Sequence, residues 1–258
     1  SIEPMSRTGD CYLAGIMGAC YAIDRPCKIE NSVSIVQVSF NDNFESTSIY
    51  VGGITGELSG ESYPVVVQNC VNYGSVVING ALNDVCAGGI VAFMSLSAKF
   101  AAVRNCVNYG TMSLKGTFTG TGVSGGIVAY PSGTISNCVN LGKVECQQGE
   151  CVLVGTITGT EDKNTFFENC FWDTTAAAGI NWNGGVTEGS GNSQTENVVG
   201  FSSYALSKEI TVGEYRGKSL VDILNAYTDK HSTLELSKWA RNANNRQIKF
   251  AINGAVHT

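Results

Sequence analysis

An Asn-Cys pair occurs four times in this chain, at Asn69-Cys70, Asn105-Cys106, Asn137-Cys138 and Asn169-Cys170, with spacings of 36, 32 and 32 residues. Each copy sits at the same place in a longer phrase: VQNCVNYGSV, VRNCVNYGTM, ISNCVNLGKV and FENCFWDTT. A second phrase falls between them, as GGITG from Gly52, AGGIVAF from Ala87 and SGGIVAY from Ser124. Self-similarity at a period of about 20–50 residues is the signature of a stacked array, in which a unit buries its apolar side chains only against its neighbours.

Each unit holds three short runs rich in Val, Ile, Tyr, Phe and Thr, separated by Gly, Asn and Ser. In the clearest unit the runs are 86–94, 102–108 and 111–115, which predicts three strands per coil. Such a triplet has no interior of its own. Stacking successive coils supplies one and pairs the backbone of each coil with the next. The expected fold is an all-β, parallel β-solenoid of about 32–36 residues per coil, and the crossover rule for parallel strands predicts a right-handed one. Asn72, Asn108 and Asn140, each two residues before a Gly, read as corners in left-handed backbone, their amides stacked in a column.

Ten cysteines do not make this a disulfide scaffold, because that reading belongs to short chains with little core. Cys70, Cys106, Cys138 and Cys170 occupy repeat positions and read as a structural column of reduced thiols. Stacked positions are about 4.8 Å apart, whereas a disulfide wants Cβ atoms at about 3.8 Å. Cys146 and Cys151, in CQQGEC, are the better candidates for a bridge; Cys11, Cys20, Cys27 and Cys86 have no assigned state.

The repeat predicts a solenoid over 1–173, loosened near Asn31, where Ser32 stands in place of Cys. Phe171 and Trp172 fall where the array should close. A Gly-, Asn-, Ser- and Thr-rich loop follows over 174–200. The segment 201–258 reads as a small α/β cap over the last coil. It carries one helix near 219–228, from the apolar spacing of Leu220, Ile223, Leu224 and Tyr227 and a capping pair, Ser219 with Asp222. QIKFAI, at 247–252, reads as a strand.

The phrases GGIVAF, GGIVAY and NCVNYG resemble the GLUG-motif repeats of bacterial surface proteins, including adhesins and the non-catalytic regions of some IgA-specific metallopeptidases. The resemblance covers roughly residues 11–173. NCFWDTTAAAG, the Gly-rich loop and SLVDILNAY are similar to the closing segment of such proteins in gut Bacteroidetes. What the resemblance implies is an extracellular or cell-surface location and an adhesive or scaffolding role.

A net charge of −6 argues against a nucleic-acid partner, which needs a basic face. No apolar run approaches the roughly 20 residues of a membrane-spanning helix, so no membrane insertion is expected. His231 and His257 stand in no HExxH motif, and there is no CxxC or phosphate-binding loop, so no metal, cofactor or catalytic residue is assigned. The carboxylates, among them Asp42, Glu45, Glu57, Glu61, Asp84, Glu145, Glu150, Glu161 and Asp162, show no repeat alignment.

Aligned aromatics suit binding better. Tyr73 and Tyr109 share one repeat position, Phe93 and Tyr130 another, and Trp182 stands in the Gly-rich loop; these five are the candidate ligand contacts. The expected function is a non-catalytic adhesive or scaffolding module whose partner is a host or microbial glycan or a surface protein. The alternatives are a carbohydrate-active β-helix enzyme and a stalk or filament subunit that self-associates end to end.

Overall fold

The computed structural model describes residues 9–41, 48–95, 100–146, 152–160, 162–174, 194–201, 217–241, 248–252 and 255–256. The first coil comprises β1 (Cys11–Ala14), β2 (Met17–Tyr21), β3 (Cys27–Glu30), β4 (Val33–Ser34) and β5 (Val38–Asn41). The second has β6 (Ile49–Gly52), β7 (Thr55–Ser59), β8 (Val65–Gln68), β9 (Val71–Asn72) and β10 (Val76–Leu82). The third has β11 (Val85–Gly88), β12 (Val91–Met94), β13 (Ala101–Arg104), β14 (Val107–Asn108) and β15 (Met112–Phe118). The fourth has β16 (Gly122–Gly125), β17 (Val128–Tyr130), β18 (Gly133–Ser136), β19 (Val139–Asn140) and β20 (Val144–Cys146). A fifth begins with β21 (Val152–Gly155) and β22 (Thr165–Asp173), on which β23 (Gln194–Phe201) pairs in parallel.

Equivalent strands of successive coils pair in parallel and in register, which makes the molecule a parallel β-solenoid. Sheet A is β1-β6-β11-β16-β21, sheet B is β2-β7-β12-β17 and sheet D is β5-β10-β15-β20. The third and fourth strands of each coil make sheet C, joined through β22.

The count of strands corrects the sequence reading, which gave three per coil. The runs 86–94 and 102–108 are each bent in the middle, at Gly89-Ile90 and at Asn105-Cys106, so a coil has five. The second bend has a backbone cause. Asn31, Asn69, Asn105, Asn137 and Asn169 all have φ between 51° and 55°, the left-handed region that Asn tolerates better than most residues. Asn72, Asn108 and Asn140 are not in that region, contrary to expectation. They lie in strands, and the Oδ1 of each accepts from the backbone N–H two residues on, at 3.0–3.2 Å. Asn31 turns the degenerate first coil as its equivalents do, and β4 pairs with β9 in register despite Ser32.

The first bend pinches the coil into two lobes. A Cβ on Gly53, Gly89 or Gly126 would lie 2.2–2.5 Å from the amide group of Asn72, Asn108 or Asn140 respectively. Across this waist the Asn amides hydrogen-bond along the axis, Asn72 to Asn108 and Asn108 to Asn140, at 2.9 Å each. One apolar lobe fills between sheets B and C, with Leu58, Val67, Cys70, Ile90 and Met94 among its members. The other fills between sheets A and D, with Ile49, Val51, Ile78 and Met112. Trp172 takes the register position after Asn140 and packs in the first lobe, ending the amide column.

The four thiols of Cys70, Cys106, Cys138 and Cys170 are buried and free, and each Sγ lies 3.1–3.5 Å from the carbonyl oxygen two residues before it. A disulfide joins Cys20 to Cys27 in the first coil. Those two cysteines stand in register with Leu58 and Val65 of the next coil, so the bridge occupies a place that apolar packing fills elsewhere. The Cys146–Cys151 pairing lies outside the described residues.

The C-terminal segment departs from the cap reading. Its helix, α1 (Leu220–Lys230), starts at Ser219, whose Oγ accepts from the Asp222 N–H at 3.2 Å. Leu220, Ile223 and Leu224 pack on Val71, Val107, Val139 and Phe171, a column on the outer flank of sheet C. The segment therefore lies along the side of the stack, across several coils, instead of over its end. β24 (Lys238–Arg241) pairs antiparallel with β25 (Ile248–Ile252), which pairs with β26 (Ala255–Val256). At the end of the stack it is β23, from the stretch read as loop, that covers β22. Phe171 faces the lateral helix rather than the end.

Candidate functional site

Because each coil bends inward at the Gly pair, the outer faces of sheets A and B meet at a re-entrant angle. The side chains there form an apolar cluster separate from both interior lobes. Cys86, Ala92, Val123 and Ala129 line its floor, buried although they point outward, and Tyr50, Phe93, Tyr130 and Leu153 stand half-buried on its walls. Small residues let the walls approach. A Cβ on Gly56, which occupies the place of Ala92 one coil earlier, would lie 3.1 Å from the Tyr50 carbonyl oxygen and 3.3 Å from the Tyr12 Cβ.

A file of four rings runs along this groove parallel to the solenoid axis. Tyr12 stacks on Tyr50 with centroids 5.1 Å apart and planes 12° from parallel. Tyr50 meets Phe93 at 5.1 Å and 47°, and Phe93 meets Tyr130 at 5.4 Å and 44°. The tilted contacts leave part of the Phe93 and Tyr130 faces uncovered by a neighbouring ring, which the near-parallel Tyr12–Tyr50 pair does not. Burial, then the neighbouring Cys86, pushes the Tyr50 phenol up to about 12, and burial pushes the Cys86 thiol up to about 12.

The first-coil end of the groove is polar. Tyr21 donates to a carboxylate oxygen of Glu57 at 2.6 Å, and Tyr12 donates to Asp10 at 3.3 Å. Glu57 is only 7% exposed, and stands in register with Phe93 on one side and Ala19 on the other. Burial and the Glu57 charge together raise the Tyr12 phenol, and burial with the hydrogen bond to Glu57 raises that of Tyr21.

The other predicted pair is already occupied. Tyr73 and Tyr109 stack at 5.0 Å with planes 9° apart, but the Tyr109 hydroxyl donates to the Ile248 carbonyl at 2.8 Å and accepts from the Ile248 N–H at 2.9 Å. Both rings pack against the cluster that holds α1 and Trp239. This column is a seat for the chain's own C-terminal segment. Trp182 lies outside the described residues.

Tyr12 and Tyr50 escaped the sequence reading. Each stands three residues before a bend glycine, Gly15 or Gly53, a position held by Cys86 and Val123 in later coils. The aromatic thus moves from sheet A to sheet B in the third coil. An alignment of repeats by one column shows two pairs where the molecule has one file of four.

Beside the waist column runs a second column of amides, also missed. Asn105 donates to Asn69, Asn137 to Asn105 and Asn169 to Asn137, at 2.6–2.7 Å. It grips the C-terminal segment by backbone. Asn69 accepts from the Ser237 N–H and donates to the Glu235 carbonyl, and Asn105 donates to the Ser237 carbonyl and accepts from the Trp239 indole at 2.5 Å.

The remaining chemistry is dispersed. Glu145, on sheet D, is held low by Lys143 at 2.7 Å, while Asp84 accepts from the Thr121 N–H at a turn. His231 closes α1, its N–H donating to the Tyr227 carbonyl at 3.0 Å. His257 lies outside the described residues. Among the described residues no group of three or more His, Cys, Asp or Glu is placed to hold a metal ion. Nor is any helix among them long and apolar enough to cross a membrane.

No protein-family model matches the chain, and no curated protein does. Among solved structures it is similar to a crystal structure described as a "putative immunoglobulin A1 protease from Bacteroides ovatus". The two are 17% identical, with a TM-score of 0.51, over 92% of this chain and 74% of the other. At that identity the likeness is one of fold.

Proposed function

We propose that this chain is a non-catalytic adhesive module of a bacterial cell-surface or secreted protein, and that it holds a glycan along the groove between sheets A and B. The observation that carries this reading is the file of Tyr12, Tyr50, Phe93 and Tyr130 in a concave outer angle. A concave apolar floor with a few convergent polar groups is the usual form of a ligand site. Sugar rings present an apolar face to the exposed parts of Phe93 and Tyr130, and hydroxyls to Asp10, Glu57 and the phenols. The walls are strands of a stacked sheet, so little ordering cost falls on binding.

An extracellular or surface location is supported by the Cys20–Cys27 disulfide, since such bridges persist in oxidising compartments. The likeness to GLUG-motif repeats points the same way. The enzyme reading would need an acid and a second carboxylate about 5–10 Å apart across one bond, for which the groove offers Asp10 and Glu57. The test is a glycan array screened with the purified chain, run beside an assay for new reducing or unsaturated ends. Binding that falls on Phe93→Ala and Tyr130→Ala, without cleavage, supports the reading; cleavage would replace it with a carbohydrate-active enzyme.

A stalk or filament role is favoured by one further observation. Ile16, Met17, Tyr21, Ile23, Val33, Ile35 and Val36 are exposed, and all belong to the first coil. End-to-end stacking would cover them. Light scattering that shows growth with concentration, abolished by Ile23→Ser with Ile35→Ser, would support it.

A further inference from the structure

The groove ends in a feature that a neutral sugar does not explain. Glu57 is 7% exposed, and among the described residues its side-chain partner is the Tyr21 hydroxyl at 2.6 Å. Among those residues no Lys, Arg or His pairs with it; the lysines that form ion pairs are Lys28, Lys115, Lys143, Lys230 and Lys238, with other carboxylates. A carboxylate shielded from water costs free energy unless a cation or several donors compensate it, and one phenol compensates it only in part. Its neighbours are aromatic: Phe93 is its register partner, and Tyr12 and Tyr21 stand close enough to feel its charge.

From this arrangement, and resting on the glycan reading above, we infer that the ligand is a cationic glycan, an amino-sugar chain with free ammonium groups, one of which seats at Glu57. Three properties meet in such a chain. Its ammonium donates charge-assisted hydrogen bonds to the carboxylate. The same group is attracted to the faces of the surrounding rings. Its sugar rings continue along Tyr50, Phe93 and Tyr130, while the net charge of −6 draws cations and repels uronate- or sulfate-bearing chains. A neutral sugar would place hydroxyls at Glu57 and leave its charge in place.

The test uses two oligosaccharides of one backbone, a β-1,4-glucosamine hexamer and its fully N-acetylated counterpart, titrated into the whole chain by calorimetry at pH 6. The free-amine hexamer should bind about tenfold tighter or more, the ordinary yield of a hydrogen bond between charged groups. Glu57→Gln keeps an acceptor for Tyr21 and should remove that preference, bringing the ratio of the two affinities to about one. Tyr21→Phe, which retains the carboxylate, should keep the preference, and a thermal melt of each variant separates loss of binding from loss of fold. Equal affinity for the two hexamers would overturn the inference and leave the groove reading standing. Binding of neither would overturn it too, and the groove reading fails with it only if the array is also silent. A hexalysine peptide bound more tightly than the amino-sugar hexamer, with the same dependence on Glu57, would replace the glycan with a basic protein segment.

Discussion

Asn105 is the position at which the account of the fold is most exposed to test. Its side chain donates to Asn69 Oδ1 at 2.7 Å and to the Ser237 carbonyl at 2.9 Å, and accepts from Asn137 at 2.6 Å and the Trp239 indole at 2.5 Å. At a net contribution of about 1 kcal/mol per hydrogen bond, removing the amide costs about 4 kcal/mol. That is a large share of the roughly 5–15 kcal/mol that holds an ordinary domain folded. The backbone adds a second term, because Asn105 has φ 52°. Alanine there bears a left-handed strain of about 1–2 kcal/mol that glycine does not. Asn105→Gly should therefore unfold at lower urea than the parent, and Asn105→Ala at lower urea still. At Asn108, which has strand geometry and an equally buried amide, the order should reverse, since glycine in a strand costs about 0.5–1 kcal/mol more than alanine. Urea unfolding followed by circular dichroism and by Trp fluorescence reads all four variants. The same order of Gly and Ala at both positions would refute the assignment of the corner to the Asn before Cys.

Gly89→Ala should be among the most damaging single substitutions, because its Cβ would lie 2.0 Å from the Gly126 carbonyl and 2.5 Å from Asn108. A loss of 3 kcal/mol or more, about the upper end for single changes, should appear as a collapsed melting temperature. Cys70, Cys106, Cys138 and Cys170 should resist iodoacetamide at pH 8 in the native chain, because all four are buried out of the reagent's reach, and react after denaturation; peptide mapping reads this. The phenols of Tyr12, Tyr50, Tyr109 and Tyr227 are all raised by burial. The unfolded chain then loses these protons first as pH rises above about 10. Stability should fall between pH 10 and 12, with tyrosine ionisation in the ultraviolet delayed until the chain unfolds.

The solenoid was legible because its evidence is repetition, and the four Asn-Cys copies keep their spacing whatever the local geometry. The number of strands was not. The run from Cys86 to Met94 is uninterrupted β-forming sequence but for Gly88 and Gly89. What bends it there is the amide of Asn108, brought across the core from another face. The left-handed corner was placed three residues late for a related reason: Asn108 precedes a residue and then Gly, a local turn signal, whereas Asn105 reveals its role only when Cys106 must turn inward to join the thiol column. The helix from Leu220 was readable from its spacing and its Ser219 cap. Its seat was not, since the residues that grip this segment, Asn69 and Asn105, lie 168 and 132 positions away in the chain at the Ser237 contacts.

The waist connects these observations to the groove. Without a side chain at Gly53, Gly89 and Gly126, sheets A and B fold in toward the Asn72, Asn108 and Asn140 amides, and the core divides into two lobes. The same inward fold sets the outer faces of A and B against each other, and residues that would lie flat on a convex solenoid, such as Val123 and Ala129, become the floor of a groove. Aromatics placed there are shielded enough to be apolar yet open along one edge. The groove thus needs no added domain or loop, because the glycines that shape the interior also shape the groove. Tyr50 and Phe93 then stand outside both interior lobes, so substituting them tests the proposed binding while the Gly and Asn positions keep the fold.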